Sequence, residues 1–345
     1  MSENPGPEQP KTLGRYEVRG VLGKGAMGLV YDGLDPKLNR RVAIKTILTR
    51  KLSPEAARMA SVRFAREVKA VARLSHPHVV QVYDFGNEGD LAYIVMEFVE
   101  GRELKDYFDG AERFDLKTIF RIMTELLDAL HLAHEAGIIH RDVKPANVMI
   151  DAKRHAKLTD FGVARFTEPD GDQEATRAGT IVGTPSYMSP EQIQGQPLDR
   201  RTDIFSAGIL FYQLLTWQKP FLGTQWELAK RIIEDAPVPA SSLVEIPPEI
   251  DRVVTRAMAK KAEQRYATAR KFAEALQRIQ EGKPPEEPGE VIAGPQASEA
   301  EQEFWDEVKH STDPDEIALY LEQFPQGAFA ALARKRIAQY KGKKA

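Results

Sequence analysis

Between Tyr16 and Phe98 the chain alternates apolar and polar positions in short runs. Tyr16–Leu22, Leu29–Leu34, Arg41–Ile47, Val79–Phe85 and Leu91–Phe98 are rich in β-branched and aromatic residues. Gly, Asp-Pro or Asn break them apart, so each is predicted to be a strand. One helix interrupts the series. Ser53-Pro54-Glu55 sets a cap residue before a proline at the first helical position, and the pattern runs on to about Leu74. Farther along, the hydrophobic period lengthens. Ile119, Ile122, Met123, Leu126, Leu127 and Leu130 fall at helical spacing, and Gly137 supplies a stop. Strands first and helices afterwards predict an α+β protein with a small sheet lobe and a larger helical lobe.

The flanks carry a different pattern. Residues 1–13 are rich in Pro, Gly and Glu and read as a disordered lead-in to a main domain over 14–280. From Glu281 to Ala300 the chain holds four prolines, three glycines and five glutamates, too little apolar surface to order itself, and is assigned as a linker. Helical periodicity returns over 301–345. Phe304, Trp305 and Val308 mark one short helix, and Asp313-Pro314-Asp315-Glu316 opens a second. After Pro325 and Gly327, Phe329, Leu332, Ala333 and Ile337 mark a third. A unit this small buries little core alone, so it is expected to dock on the main domain or to bind a protein partner.

Composition narrows the choice. At roughly 150 residues per domain, 345 residues suggest about two domains. Lys and Arg number 48 against 51 Asp and Glu, and this net charge of -3 gives no reason to expect nucleic acid as a partner. The basic end, with Arg334-Lys335-Arg336 and Lys341, Lys343 and Lys344, reads as a solvated helix terminus. The chain has no cysteine, which excludes a disulfide framework, a thiolate nucleophile and a zinc site built on Cys. The longest apolar run, Ile204–Leu215, falls short of the ~18 residues of a membrane span. The N-terminus lacks the apolar core of a signal peptide. A cytoplasmic protein without a membrane span is the expectation.

Candidate chemistry begins at Gly23-Lys24-Gly25-Ala26-Met27-Gly28, where glycines let backbone amides approach phosphate oxygens. Such a loop in a dinucleotide-binding fold is followed by a helix, with an acid about 20 positions on. Here a second strand follows, and Val42-Ala43-Ile44-Lys45 stands where that acid is needed. A lysine on a third strand suits a phosphate clamp; taken alone it could equally be a solvated strand lysine. Glu67 shares a helical face with Val71 and Leu74, and a carboxylate on an apolar face is costly unless paired. Lys45 is its natural partner. The alternative is a Glu67 at the edge of the stripe, in water.

Two further segments combine with these. His140-Arg141-Asp142-Val143-Lys144-Pro145-Ala146-Asn147 and Asp160-Phe161-Gly162 resemble the catalytic loop and metal-binding turn of protein kinases. Ser189-Pro190-Glu191 closes the intervening segment, with serine where many kinases have alanine. The resemblance covers about residues 16–279 and is closest to bacterial serine/threonine kinases of the eukaryotic, or Hanks, type. It implies a bilobal kinase fold and ATP-dependent phosphorylation of Ser and Thr hydroxyls on protein substrates.

Carried over position by position, the resemblance implies a set of roles. Gly23, Gly25 and Gly28 cover the ATP phosphates, and Lys45, held by Glu67, contacts the α- and β-phosphates. Leu22, Val30, Ala43 and Met149 enclose the adenine, Met96 is the gatekeeper, and Glu97-Phe98-Val99 offer hinge bonds. Asp142 accepts the proton of the substrate hydroxyl, and Lys144 neutralises the γ-phosphoryl group. Asn147 and Asp160 hold Mg²⁺, or Mn²⁺ in its place. Lys144-Pro145 and Thr184 resemble serine/threonine rather than tyrosine specificity. Arg141 and Arg165 form a pocket for a phosphorylated activation loop, with Thr176 and Thr180 the favoured sites over Thr167. Self-phosphorylation would bring two copies together. Asp203 anchors the catalytic loop and Arg265 pairs with Glu191, although Lys261-Ala262 replaces the usual Asp-Pro before it. His131 and His134 lack a ligand cluster and are assigned to packing or the surface. A small-molecule phosphotransferase fits poorly with the long segment from Asp160 to Glu191. A non-enzymatic scaffold acting through 301–345 fits poorly with a full set of Lys45, Glu67, Asp142, Asn147 and Asp160.

Overall fold

The computed structural model of the chain describes residues 10–25, 28–48, 54–89, 91–161 and 185–285, and toward the C-terminus residues 304–305, 307–308, 311, 313–324, 333–334 and 337. Residues 1–285 form one compact unit and 286–345 another.

The first unit starts with β1 (Thr12–Leu13), β2 (Tyr16–Gly25), β3 (Gly28–Asp35) and β4 (Arg40–Leu48). Helix α1 (Pro54–Val71) follows, then β5 (Val82–Glu88) and β6 (Leu91–Glu97). These strands form one antiparallel sheet in the order β1-β2-β3-β4-β6-β5. Alternation along β6 divides it into two apolar faces. Ala92, Ile94 and Met96 pack with Ile47, Val80 and the Phe64 and Val68 of α1. Tyr93 and Val95 join Leu13, Tyr16, Tyr31, Val42 and Ile44 on the opposite face. A slip of one residue would exchange the two sets, so the pattern fixes the register. It also directs Lys45, between Ala43 and Ile47 in parity, to the face shared with α1 and Met96.

Three expected boundaries shift. The lead-in is not disordered to its end, because Leu13 is 1% exposed and pairs with Tyr16, covering an otherwise open apolar sheet face. Helix α1 stops at Val71, and Leu74 instead enters the core of the large lobe. The strand expected at Val79 starts at Val82, since Val79 and Val80 bridge to Leu158 first.

The large lobe contains β7 (Gly101–Glu103), α2 (Leu104–Asp109), α3 (Leu116–Glu135), β8 (Val148–Asp151) and β9 (Ala156–Leu158), then α4 (Pro190–Ile193), α5 (Arg201–Thr216), α6 (Gln225–Glu234), α7 (Glu249–Ala257) and α8 (Ala269–Gln280). Asp115 caps α3 by accepting the Thr118 amide, as a helix start requires. Helix α5 is buried at every position from Thr202 to Thr216. Gly208 permits that burial, since a Cβ there would stand 2.9 Å from the Ala257 and Met258 side chains. A small sheet two-layer with α1 and a helical lobe give the bilobal α+β architecture.

The second unit has its own core of Trp305, Ile317, Tyr320 and Ala333, flanked by Phe304 and Phe324. Its helix α9 (Pro314–Gln323) begins at the proline, and Trp305 and Tyr320 meet edge to face at 5.0 Å. Residues 286–300, most of the expected linker, lie outside the described residues. Among the described residues no helix is long and apolar enough to cross a membrane.

Candidate active site

The site is built on a buried carboxylate. Asp203, near the start of α5, is fully buried and accepts three hydrogen bonds. His140 N donates to Oδ2 at 2.8 Å, Arg141 N to Oδ1 at 2.7 Å, and His134 Nε2 to Oδ2 at 2.7 Å. These bonds hold the chain where Arg141 adopts a left-handed φ of 67°, an uncommon conformation for a side chain of its size. His140 fixes the next step. Its Nε2 donates to the Thr159 carbonyl at 2.8 Å, so its Nδ1 is left to accept from Asp142 N at 3.3 Å. Its ring rests 4.7 Å from that of Phe161.

The loop then presents Asp142. Lys144 extends, Pro145 begins a short 3₁₀ turn to Asn147, and β8 follows. Lys144 Nζ stands 2.8 Å from Asp142 Oδ2. Asn147 Nδ2 donates to the same oxygen at 3.0 Å and to the Asp142 carbonyl at 2.7 Å. Asp142 thus sits beside a cation and a neutral donor, about one-third exposed. The amide oxygen of Asn147 accepts no hydrogen bond among the described residues.

Across the cleft, Lys45 pairs with Ile94 in register and Ala43 with Met96. Lys45 Nζ lies 2.7 Å from Oδ2 of Asp160, whose own φ of 64° turns the carboxylate inward. Val30, Ala43, Val99 and Met149 are half-buried along the cleft, whereas Leu22 is largely exposed. Gly28 is required for space, because a Cβ there would lie 1.9 Å from the Thr46 carbonyl oxygen; Gly23 faces open space. Glu97 is clamped by side chain as well as backbone, accepting from Lys157 Nζ at 2.7 Å and from Gln81 N at 3.3 Å.

The comparisons agree with this geometry. Residues 16–278 match the family model described as protein kinase domain. The chain belongs to the protein kinase family. It is 39% identical over 282 residues to serine/threonine-protein kinase PknB of Mycobacterium tuberculosis, covering 79% of this chain and 44% of that protein. It is 37% identical over 287 residues to probable serine/threonine-protein kinase SCO3848 of Streptomyces coelicolor, covering 80% and 42%. A third relative, probable serine/threonine-protein kinase CA_C1728 of Clostridium acetobutylicum, is 36% identical over 267 residues, covering 77% and 40%. The chain thus spans less than half the length of these relatives.

Within this kinase domain one expected pairing is absent. Lys45 was assigned to Glu67, yet it pairs with Asp160, and among the described residues Glu67 makes no ion pair or hydrogen bond. Lys45 and Asp160 are each less than one-fifth exposed and need a counter-charge, whereas half-buried Glu67 reaches water from the edge of its stripe. A cavity of about 20 Å³, lined by Val68, Val71, Ile94, Met96 and Phe161, lies between α1 and the sheet here.

Glu191 and Arg265 meet in a two-pronged ion pair of 2.7 and 2.8 Å, with Thr202 Oγ1 also donating to Glu191 at 2.8 Å. Arg265 spends its other donors on the Ala259, Lys260 and Arg201 carbonyls. Burial pushes the Glu191 carboxyl upward, but the Arg265 bonds and charge outweigh it and hold the group below the ordinary range. Replacement of the usual Asp-Pro by Lys261-Ala262 leaves a 3₁₀ turn over Ala262–Gln264 in place. Arg141 Nε is buried with no hydrogen-bond partner among the described residues. Gly162, Arg165, Thr167, Thr176, Thr180 and Thr184 lie outside the described residues.

Sequence reasoning missed three participants. His134 is not merely packed but bonded to Asp203, a link between α3 and α5 that spacing cannot reveal. Lys157 reaches Glu97 from β9. Glu103, just before α2, is held above the ordinary carboxylate range by burial, with Asp106 adding to the effect and Lys105 opposing it. An acid placed directly after the hinge segment was the available signal.

Proposed function

We propose that the chain is a protein serine/threonine kinase that transfers the γ-phosphoryl group of ATP to Ser and Thr hydroxyls of proteins, its own activation segment included. The observation that carries this reading is Asp142, held by Lys144 and Asn147 on a loop anchored to Asp203. In the transfer, the substrate hydroxyl oxygen bonds to the γ-phosphorus, the bond to the bridging oxygen breaks, and ADP leaves. Asp142 takes the hydroxyl proton and orients the nucleophile. Lys144, already beside it, offsets charge on the phosphoryl oxygens.

The donor set fits a hard divalent cation. Asp160 supplies a carboxylate and Asn147 an uncommitted amide oxygen, the ligand types Mg²⁺ prefers. Among the described residues no cluster of three or more His, Asp or Glu could hold an ion by itself, so substrate phosphates would complete its shell. Held by Asp160 and Asn147, such an ion would neutralise charge on the phosphates.

Competence for transfer requires Lys45 to leave Asp160, so that the carboxylate is available as a ligand, and to be taken up by Glu67 as α1 moves inward. Phosphorylation at Thr176 or Thr180 is the proposed trigger, and Arg141, with its unsatisfied Nε, is one arginine suited to receive the phosphate. A cytoplasmic setting follows from the ATP requirement. The C-terminal unit is proposed to bind a protein partner. Incubation with labelled ATP and a generic protein substrate tests the central reading. Asp142→Asn is expected to lower transfer on the order of 10²–10⁴-fold, and full retention would overturn it.

A further inference from the structure

Strand β6 ends at Glu97, where the chain crosses from the small lobe to the large one. Gln81, just ahead of β5, bonds to it across the sheet. Hydrogen-bonded residues on antiparallel strands ordinarily exchange two backbone bonds. One of the two is present: Glu97 N donates to the Gln81 carbonyl at 2.8 Å. The other is not. Gln81 N gives its hydrogen to Oε2 of the Glu97 side chain, at 3.3 Å, and not to the Glu97 carbonyl. The carboxylate thus stands in the ladder where the carbonyl of the same residue belongs.

Lys157 keeps it there. Alternation along β9 buries Ala156 and Leu158 and sends Lys157 the other way. Its Nζ donates to Oε1, the second carboxylate oxygen of Glu97, at 2.7 Å. The two side chains are 20% and 26% exposed, so salt screens the pair less than it would one on the open surface. Gln81 is fixed in its turn. Its Nε2 donates at 3.1 Å to the Ala72 carbonyl, just past α1, and to the Val82 carbonyl. Beyond Glu97, the Phe98 ring lies 3.6 Å from the guanidinium of Arg41, which is forked onto Asp32 by two bonds of 2.9 Å. Val99 makes no backbone hydrogen bond among the described residues, so one donor and one acceptor stay unpaired beside these held neighbours.

We infer that Lys157 is a positioning residue for the adenine of ATP, which it serves without touching the base. By holding the carboxylate in the ladder, it keeps the Glu97 carbonyl uncommitted, as an acceptor for the amine of the base. The unpaired Val99 backbone supplies the neighbouring bonds. Without Lys157 the carboxylate turns to water, Gln81 N closes on the Glu97 carbonyl, and the acceptor is spent. Lys45 and Asp160, on the phosphate side of the cleft, take no part in this chain of contacts. The inference rests on the reading of the chain as an ATP-dependent kinase, and adds to it a residue of the large lobe that acts on the base alone.

Calorimetry on the full chain with ADP or with inorganic tripolyphosphate, each in magnesium chloride, separates the two ends of the nucleotide. Lys157→Met is expected to weaken ADP binding about tenfold, as when the binding arrangement is populated about one-tenth of the time. Tripolyphosphate is expected to bind as it does to wild type. In transfer assays the KM for ATP should rise by the same factor at unchanged kcat. Glu97→Ala, which deletes the stand-in carboxylate, should reproduce the loss for ADP alone. Lys157→Arg, which can still donate to a carboxylate oxygen, should recover it. Unchanged ADP affinity in Lys157→Met, a loss shared equally by tripolyphosphate, or no recovery in Lys157→Arg overturns the proposal. Failure of the wild-type chain to bind ADP at all would overturn the kinase reading on which it rests.

Discussion

Lys45 Nζ and Asp160 Oδ2 stand 2.7 Å apart, joining β4 of the small lobe to the turn that follows β9 in the large one. One ammonium thus neutralises the carboxylate that the proposed chemistry assigns to a metal ion. The contact joins the lobes directly at the catalytic cleft.

Lys45→Met strands the Asp160 carboxylate, and Asp160→Asn strands the ammonium. The double variant is expected to lose less stability in urea than the two single losses added together, by a coupling on the order of 1 kcal/mol. Phosphoryl transfer is expected to fall on the order of 10²–10³-fold in Lys45→Met and not to return in the double variant. Additive stabilities would mean that the pair contributes nothing to the folded state.

The Glu191–Arg265 pair predicts a larger cost. Arg265→Ala leaves a buried carboxylate with one hydroxyl for company, and a loss of about 3–5 kcal/mol is expected from denaturation curves. Arg265→Lys should recover little of it, because a single ammonium cannot replace the fork or the three carbonyl contacts. The pH dependence has a definite sign. Glu191 titrates lower in the folded chain, so the pair's contribution is complete above the ordinary glutamate value of about 4.3 and is lost as pH falls through the depressed one. Acid unfolding should be less steep in Arg265→Met than in wild type.

Gly28 and Gly23 separate two uses of glycine in one loop. Gly28→Ala drives a Cβ into the Thr46 carbonyl and is expected to lower the thermal midpoint of the nucleotide-free protein. Gly23→Ala meets open space and should leave that midpoint unchanged. A rise in KM for ATP in Gly23→Ala at unchanged stability would assign that glycine to phosphate approach. Equal loss of stability in both variants would contradict the contrast.

Glu103 predicts the opposite pH trend to Glu191. Its carboxyl titrates above the ordinary value, so the folded chain holds the proton more tightly than the unfolded one, and ionisation works against folding as pH rises. Glu103→Gln should raise the thermal midpoint at pH 7. The difference should close below about pH 4, where both forms are neutral. A gap that persists in acid would point to packing rather than charge.

Much of the fold was legible because it rests on local rules. Alternation along Leu91–Glu97 gave a strand and its two faces, Ser53-Pro54 gave a helix start, and Asp313-Pro314 gave another. Leu13 was not legible, since its neighbours are polar and only the tertiary sheet face explains its burial. The site divides along the same line. Asp142, Lys144 and Asn147 lie within one short loop and could be read together. Lys45 could be found, but its partner could not, because Glu67 and Asp160 compete for it and the choice depends on where α1 sits. His134 and Lys157 act on residues 69 and 60 positions away, distances at which sequence spacing carries no information.

The burial of α5 on all sides has a consequence for where precision originates. Asp142 is placed by His140 and Arg141, these by Asp203, and Asp203 by a helix with no face toward water from Thr202 to Thr216. The frame that holds this loop is thus a helix without solvent contact from Thr202 to Thr216. Small repacking changes along α5, at Gly208 or its neighbours facing Ala257, are expected to shift the loop carrying the proposed Asp142 before they unfold anything. Such variants would pass a folding assay and fail a turnover assay, although none of them lies in the cleft.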